Sequence, residues 1–217
     1  MAKRRKVGNL TALAVLAVLA PGQPMHPYEM ARVLRRTGKD RDMRIKWGSF
    51  YTVVRNLERH GFIEATGRDR QGRRPERTVY AITDAGRAEL QDWARELVAV
   101  PEAEQSRFEA ALSVLGVLAP DEATELLGRR LHTLDAEIAA RGAALEQARN
   151  QVARLFLVEA EYALAMRRAE AEWVRSLLVE LTDGTLPGLA GWRDYHATGR
   201  VPDDLAAQWK QLLTEGG

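Results

Sequence analysis

The sequence predicts a mainly α fold in two parts: a basic N-terminal domain of three helices and a two-stranded hairpin, then an all-helical C-terminal domain. Three observations predict it. Apolar residues recur at helical spacing through most of the 217 residues, and two short β-type runs stand together between residues 62 and 82. Charge also divides along the chain. Residues 1–95 hold 20 Lys and Arg against 10 Asp and Glu, net +10, whereas residues 96–217 hold 12 against 20, net −8. The near-neutral total of +2 therefore hides a front half suited to a polyanion.

With 46% hydrophobic and 29% charged residues, the composition is that of a globular protein. Cysteine is absent, which excludes disulfides, Cys-based zinc sites, iron–sulfur clusters and a thiol nucleophile, and a cytoplasmic location is expected. Lys3-Arg4-Arg5-Lys6 followed by Leu10 to Ala20 imitates a signal peptide. The apolar run is too short to span a bilayer, and Pro21-Gly22 stops it as it would stop a short buried helix. The four basic residues are expected to form an arm touching DNA.

The first helix is expected over residues 9–20, capped by Asn9, with Leu10, Leu13, Val15, Leu16 and Leu19 as its apolar body. Pro27 opens a second helix to about Arg36, with Tyr28, Met30, Ala31 and Leu34 as its buried side. A third begins at Gly48-Ser49, with Ser49 as cap, and stops near His60 at Gly61. At 100° per residue its Phe50, Val53, Val54 and Leu57 share one face. Thr52, Arg55 and Arg59 lie opposite, flanked by Tyr51 and Asn56. That outer face carries base-reading and phosphate-binding chemistry: Arg binds guanine bidentately, Asn binds adenine, and Thr and Tyr reach phosphate or a thymine methyl. Trp47, just ahead, reads as a packing residue that positions the helix, with contact to the DNA backbone as the alternative.

The runs Phe62 to Thr66 and Thr78 to Ile82 form a hairpin joined by Gly67 to Arg77, a stretch with five arginines in eleven residues. Such a tip suits a phosphate backbone or a minor groove. Three helices and this hairpin are the parts of a winged helix-turn-helix domain. Thr83-Asp84 then caps a helix from about Ala85 to Val98, closed by Pro101.

Beyond it, residues 104–118 and 121 to about 181 read as helical. Val152, Leu155, Phe156, Tyr162, Ala163, Met166, Trp173, Val174, Leu177 and Leu181 are expected on one face of a helix of about thirty residues, longer than a small private core needs. Leu155, Phe156, Tyr162, Met166, Trp173, Leu177 and Leu181 are the candidate dimerisation residues. Glu159 and Glu170 intrude on the stripe, either to fix register or to pair with arginines of a neighbouring helix. The expected domains are residues 1–98, 99–183 and a C-terminal extension, 184–217, in which residues 203–214 suggest a short amphipathic helix.

Three stretches resemble the PadR family of bacterial transcriptional regulators, in order and at the family's spacing over about residues 10–95. Met25-His26-Pro27-Tyr28-Glu29-Met30 is similar to the opening of the family's second helix, with Pro27 where many members have Gly. Gly48-Ser49-Phe50-Tyr51 and Leu57-Glu58-Arg59-His60-Gly61-Phe62-Ile63 resemble its recognition helix. Arg73-Arg74-Pro75, then Tyr80-Ala81-Ile82-Thr83-Asp84-Ala85-Gly86, resemble its wing and the helix after it. Phe108 to Leu112 and the long helix through Trp173 resemble the larger subgroup with a helical dimerisation domain.

The resemblance implies a homodimer that binds double-stranded DNA at a pseudo-palindromic operator, represses transcription, and is released by a small aromatic or phenolic effector. Its DNA-binding candidates here are Ser49, Tyr51, Thr52, Arg55, Asn56 and Arg59 on the third helix, with Arg70, Arg73, Arg74 and Arg77 on the wing. Trp93 and Trp173 are candidates for an effector pocket, with core or interface packing as the alternative. No catalytic residue, cofactor or metal site is expected. His26, His60, His132 and His196 lack ligand spacing, and no nucleophile–base pair or phosphate loop stands out. The competing function is a winged-helix module that binds protein rather than DNA; the +10 front half and the arginines of the third helix oppose it.

Overall fold

The structure, a computed structural model, describes residues 5–69, 77–101 and 106–201, with the side chains of residues 68, 69 and 77 outside the description. It divides into two compact units between residues 104 and 105, each treated by itself below.

In the first unit, α1 (Leu10–Leu19) buries residues on every side, including Ala12, Leu13, Val15, Leu16 and Leu19, as a helix apolar all round must. The Asn9 side chain accepts from Ala12 N at 2.9 Å, the predicted cap. Around α1 pack α2 (Pro27–Arg36), α4 (Phe50–Arg59) and α5 (Asp84–Ala99). A short α3 (Lys39–Asp42) and a 3-10 turn (Trp47–Ser49) fill the connection read from sequence as irregular. Strands β1 (Ile63–Asp69) and β2 (Arg77–Ile82) pair antiparallel, from Ile63 opposite Ile82 to Asp69 opposite Arg77, with a bulge between Ala65 and Gly67. Met25 adds a bridge, exchanging backbone hydrogen bonds with Tyr80 at 2.9 and 3.0 Å.

Four local expectations need correction. Tyr28 is 56% exposed, because Pro27, Met30, Ala31 and Leu34 already supply the i, i+3, i+4, i+7 face and Tyr28 falls beside it. Ser49 does not cap α4; its Oγ donates to the Lys46 carbonyl at 3.1 Å, completing the 3-10 turn. β1 runs three residues further than expected, since the bulge lets Gly67, Arg68 and Asp69 stay paired with Val79, Thr78 and Arg77. Arg5 is no free DNA arm. Its side chain is 4% exposed, donates to Glu89 at 2.6 Å, to Asp92 at 3.2 Å and to Glu96, and lies over the Trp93 ring. Burial alone would lower the guanidinium value, but Glu89 and Glu96 outweigh it and hold it above its already high ordinary value. Residues 1–4 lie outside the described residues.

The start of α5 carries a tight contact. Thr83 Oγ1 accepts from Gly86 N at 3.1 Å and donates to the Gly61 carbonyl at 2.7 Å, tying α5 to the end of α4. At Gly86 a Cβ would stand 2.0 Å from the Phe62 carbonyl oxygen. Glycine is needed here because another backbone passes where a side chain would begin.

In the second unit, α6 (Arg107–Leu112) and a 3-10 turn (Leu115–Val117) precede α7 (Pro120–Arg149). A 3-10 turn at Arg154–Phe156 leads into α8 (Val158–Asp183). Salt bridges Arg130–Glu170, Glu137–Arg167 at 3.5 Å and Arg149–Glu161 at 3.3 Å couple rising positions on α7 to falling ones on α8, so the two helices form an antiparallel hairpin. Leu127 and Leu134 meet Ala171, Val174 and Leu181, while Leu145 packs with Leu157 and Leu164. The expected thirty-residue stripe is therefore shortened and split. Leu155 and Phe156 sit on the turn before α8, and Leu181 faces α7, with Leu177 packed beside it. Glu170 pairs with Arg130 of the neighbouring helix, the second of the two roles considered for it.

An unforeseen α9 (Leu189–Thr198) packs its buried Leu189 into this core, and Trp192 Nε1 donates to the Leu118 carbonyl at 2.9 Å. The helix suggested over residues 203–214 lies outside the described residues. No described helix is long and apolar enough to cross a membrane.

Replacing Gly86 by Ala is expected to lower stability by about 2–4 kcal/mol, as other strained overpackings do. Thermal or urea unfolding reads it, and a shift below about 0.5 kcal/mol would mean that the contact relaxes freely.

Candidate nucleic-acid interface

The candidate interface is built on α4. Its inner residues Phe50, Val53, Val54 and Leu57 are all buried in the core with α1 and α2. Burying four apolar side chains contributes several kcal/mol and leaves the helix one rotational setting. The opposite face must then point outward. Ser49, Tyr51, Thr52, Arg55 and Arg59 are exposed and Asn56 is half-buried, so all six candidates from this helix and its approach stand on one side of it. Tyr51 is 53% exposed and lies edge-on to Phe50, with ring centroids 5.9 Å apart. Arg55 donates weakly to Thr52 Oγ1 at 3.4 Å, which leaves its remaining donors toward solvent.

Two devices hold the pitch of α4. At its C-terminal end, Phe62 N donates to the Leu57 carbonyl at 3.0 Å and Gly61 takes a positive φ of 73°, turning the chain into β1. On its flank, Tyr80 of β2 donates its hydroxyl to Glu58 at 3.3 Å. Burial, with the neighbouring Glu58 carboxylate adding to it, raises the Tyr80 phenol above its ordinary value, while Arg55 opposes.

The wing rises beside this helix as the β1–β2 hairpin. Arg77 opens β2 opposite Asp69. Arg70, Arg73 and Arg74 lie outside the described residues.

Three side chains near this surface were not singled out correctly from sequence. Arg35, at the end of α2, stacks its guanidinium 4.0 Å over Trp47, which in turn lies 5.3 Å from Phe50. His26 and Glu29 form a capping box on α2: His26 Nδ1 accepts from Tyr28 N at 3.1 Å and Glu29 accepts from His26 N at 3.0 Å. Glu29 stands at the spacing such a box requires, but a histidine at the cap is outside its usual Ser, Thr, Asp or Asn signature. Nothing in the order of residues announced the Arg35–Trp47 stack, since the pair is brought together only by the fold.

The two tryptophans named for an effector pocket sit in different units. Trp93 is 5% exposed, within the core of the first and under Arg5. Trp173 of α8 is half open and stands edge-on to Phe108 at 6.0 Å, while Arg130 covers the other ring at 3.6 Å.

Residues 15–92 match the model of the Transcriptional regulator PadR-like family, so α1, α2, α4, the wing and most of α5 form a PadR-like domain. Among solved structures, Bacillus subtilis PadR in complex with operator DNA is similar with a TM-score of 0.66 at 20% identity, over 80% of this chain and 99% of that one. The same regulator in complex with p-coumaric acid gives 0.64 at 20% identity, with the same coverage. The Vibrio cholerae virulence activator AphA gives 0.56 at 19% identity, over 80% of this chain and 98% of that one. At these identities the likeness is one of fold, and it takes in helices of both units. No curated protein matches the sequence significantly.

Because Tyr80 has a raised phenol value in the folded state, the stability it contributes is complete below the ordinary phenol range and is lost as pH rises through the folded value. Tyr80→Phe is therefore expected to flatten the alkaline fall in stability above about pH 10. Urea unfolding at pH 8 and in alkali checks this; an equally steep fall in the variant would remove Tyr80 as its source.

Proposed function

We propose that this chain, whose PadR-like domain spans residues 15–92, is a dimeric transcriptional regulator that binds a pseudo-palindromic operator and represses transcription. The observation that carries it is the outer face of α4: Tyr51, Thr52, Arg55, Asn56 and Arg59, set outward by the burial of the opposite face in a domain of net positive charge. Arg55 and Asn56 would read base edges in the major groove, and Ser49, Tyr51, Thr52 and Arg59 would hold phosphate or sugar. The wing arginines Arg70, Arg73, Arg74 and Arg77 would follow the backbone beside it. Similarity to a PadR structure holding operator DNA supports this reading. Because AphA is named an activator, the sign of regulation would follow from where the operator lies relative to the promoter.

A dimer is proposed from α8. Val158, Tyr162, Met166 and Trp173 are exposed and fall within an arc of about 80° on the side away from α7, at 100° per residue. Tyr162 is 67% exposed, and Leu155 and Phe156 extend the apolar patch at the turn. The helix runs about 39 Å at 1.5 Å per residue, long enough to seat a second copy. Leu177 and Leu181 would support this face from inside the hairpin. A small aromatic effector, by analogy with the p-coumaric acid complex, would stack on Trp173 and shift the spacing of the two reading heads.

Binding to a fragment from upstream of the protein's own gene, against a scrambled fragment across a salt series, tests the reading. Specific preference of about a thousandfold or more is expected. Equal, steeply salt-dependent binding to both would contradict operator recognition, and no binding at low salt would favour the protein-interaction module. Arg55→Ala should cost about 1–3 kcal/mol on the operator and little on random DNA, as for lost base contact. Arg74→Ala should weaken all DNAs alike and lower the salt slope by about one unit for each subunit's contact. For the dimer, light scattering of Tyr162→Asp/Met166→Asp should show a folded monomer; a persistent dimer would place the interface elsewhere.

A further inference from the structure

From the stacked pair Arg35 and Trp47, resting on the DNA-binding reading above, we infer that Arg35 is a preorganised clamp for a DNA backbone phosphate at the head of α4. Arg35 ends α2, its guanidinium lies 4.0 Å over the Trp47 ring, and its side chain makes no hydrogen bond or ion pair with the described residues. Stacking uses the flat face of a guanidinium and leaves its in-plane N–H groups free. The donors are thus held in place without being spent.

Position gives them their partner. Trp47 packs against Phe50 at 5.3 Å, and Phe50 against Tyr51 at 5.9 Å, so a continuous run of ring contacts links Arg35 to the exposed start of α4. A duplex docked on Tyr51 would bring a phosphate strand past this corner. The surroundings are cationic. Arg32, Arg36, Arg44 and Lys46 are exposed nearby in sequence, and Asp42 of the same stretch faces Lys39 at 3.9 Å. Arg44 holds a left-handed φ of 48°, a conformation a non-glycine residue adopts at a cost, in the turn that delivers Trp47. A guanidinium already fixed on an indole loses little freedom when it binds, which a lysine at the same place could not match.

Arg35→Ala, Arg35→Lys and, as a charge control in the same unit, Arg95→Ala would be compared with the unaltered full chain. Binding to the upstream and scrambled fragments would be read across a salt series, with thermal unfolding alongside. Arg35→Ala removes one contact from each subunit of the dimer and is expected to lower the salt slope by about 1.8 and affinity for both fragments roughly 25- to 100-fold at 0.1 M salt. Its melting transition should stay within a few degrees. Arg35→Lys should keep the slope and recover part of the affinity, and Arg95→Ala should leave both unchanged. An unchanged slope in Arg35→Ala, a change no larger than that of Arg95→Ala, or a loss that accompanies a lost melting transition would each overturn the inference while the unaltered protein still binds. Failure of the unaltered protein to bind either fragment would instead overturn the DNA-binding reading beneath it.

Discussion

Burial of Phe50, Val53, Val54 and Leu57 against the apolar helix α1 fixes the roll of α4, and the proposed DNA-facing side of the first unit depends on it. A helix turned by one residue would bring Tyr51 or Arg55 into the core and carry a phenylalanine outward, at a cost of several kcal/mol on either count. The rest of the first unit serves this setting. α1 gives up any polar face of its own to become the common floor, Gly61 ends α4 with a left-handed turn, and Gly86 lets α5 begin against the Phe62 carbonyl. Polar residues are then free to occupy the outer face, where nothing in the core constrains their identity.

The second unit uses the same logic with two stripes instead of one. The inner stripe of α8, through Leu164, Ala171, Val174 and Leu181, closes the hairpin with α7. Cross-helix pairs such as Arg130–Glu170 and Asp135–Arg175 set its register. On the outer stripe Tyr162 and Met166 stand exposed, and Trp173, half open, lies edge-on to Phe108 of α6. Part of the apolar content that sequence periodicity attributes to one surface is therefore consumed inside the subunit.

What could be read from the sequence follows from how local each signal is. The cap at Asn9, Pro27 at the start of α2, the two-sided α4 and the start of α5 at Thr83 depend on residues within a turn of one another, and all were legible. So were the paired strands, although the bulge that lengthens β1 was not, because a bulge depends on its partner strand. Tyr28 is aromatic but lies beside the face formed by Pro27, Met30, Ala31 and Leu34, so its residue type points inward while its angle points outward. The fold back between α7 and α8 carries no Pro or Gly between Asn150 and Leu157 to announce it; it arises because a single long helix would leave both stripes in water. Arg5 shows the limit most clearly. Its four-residue basic cluster reads as an arm for DNA, yet Arg5 finds Glu89, Asp92 and Glu96 more than eighty residues away.

The central claim is that the outer face of α4 meets the DNA, and site-specific photocrosslinking tests it most directly. A photoreactive phenylalanine at position 51, on the exposed ring side of α4, should crosslink efficiently to bound duplex, whereas the same group at position 162 should crosslink to a second protein chain. Retained DNA binding without a DNA adduct from position 51 would contradict the account.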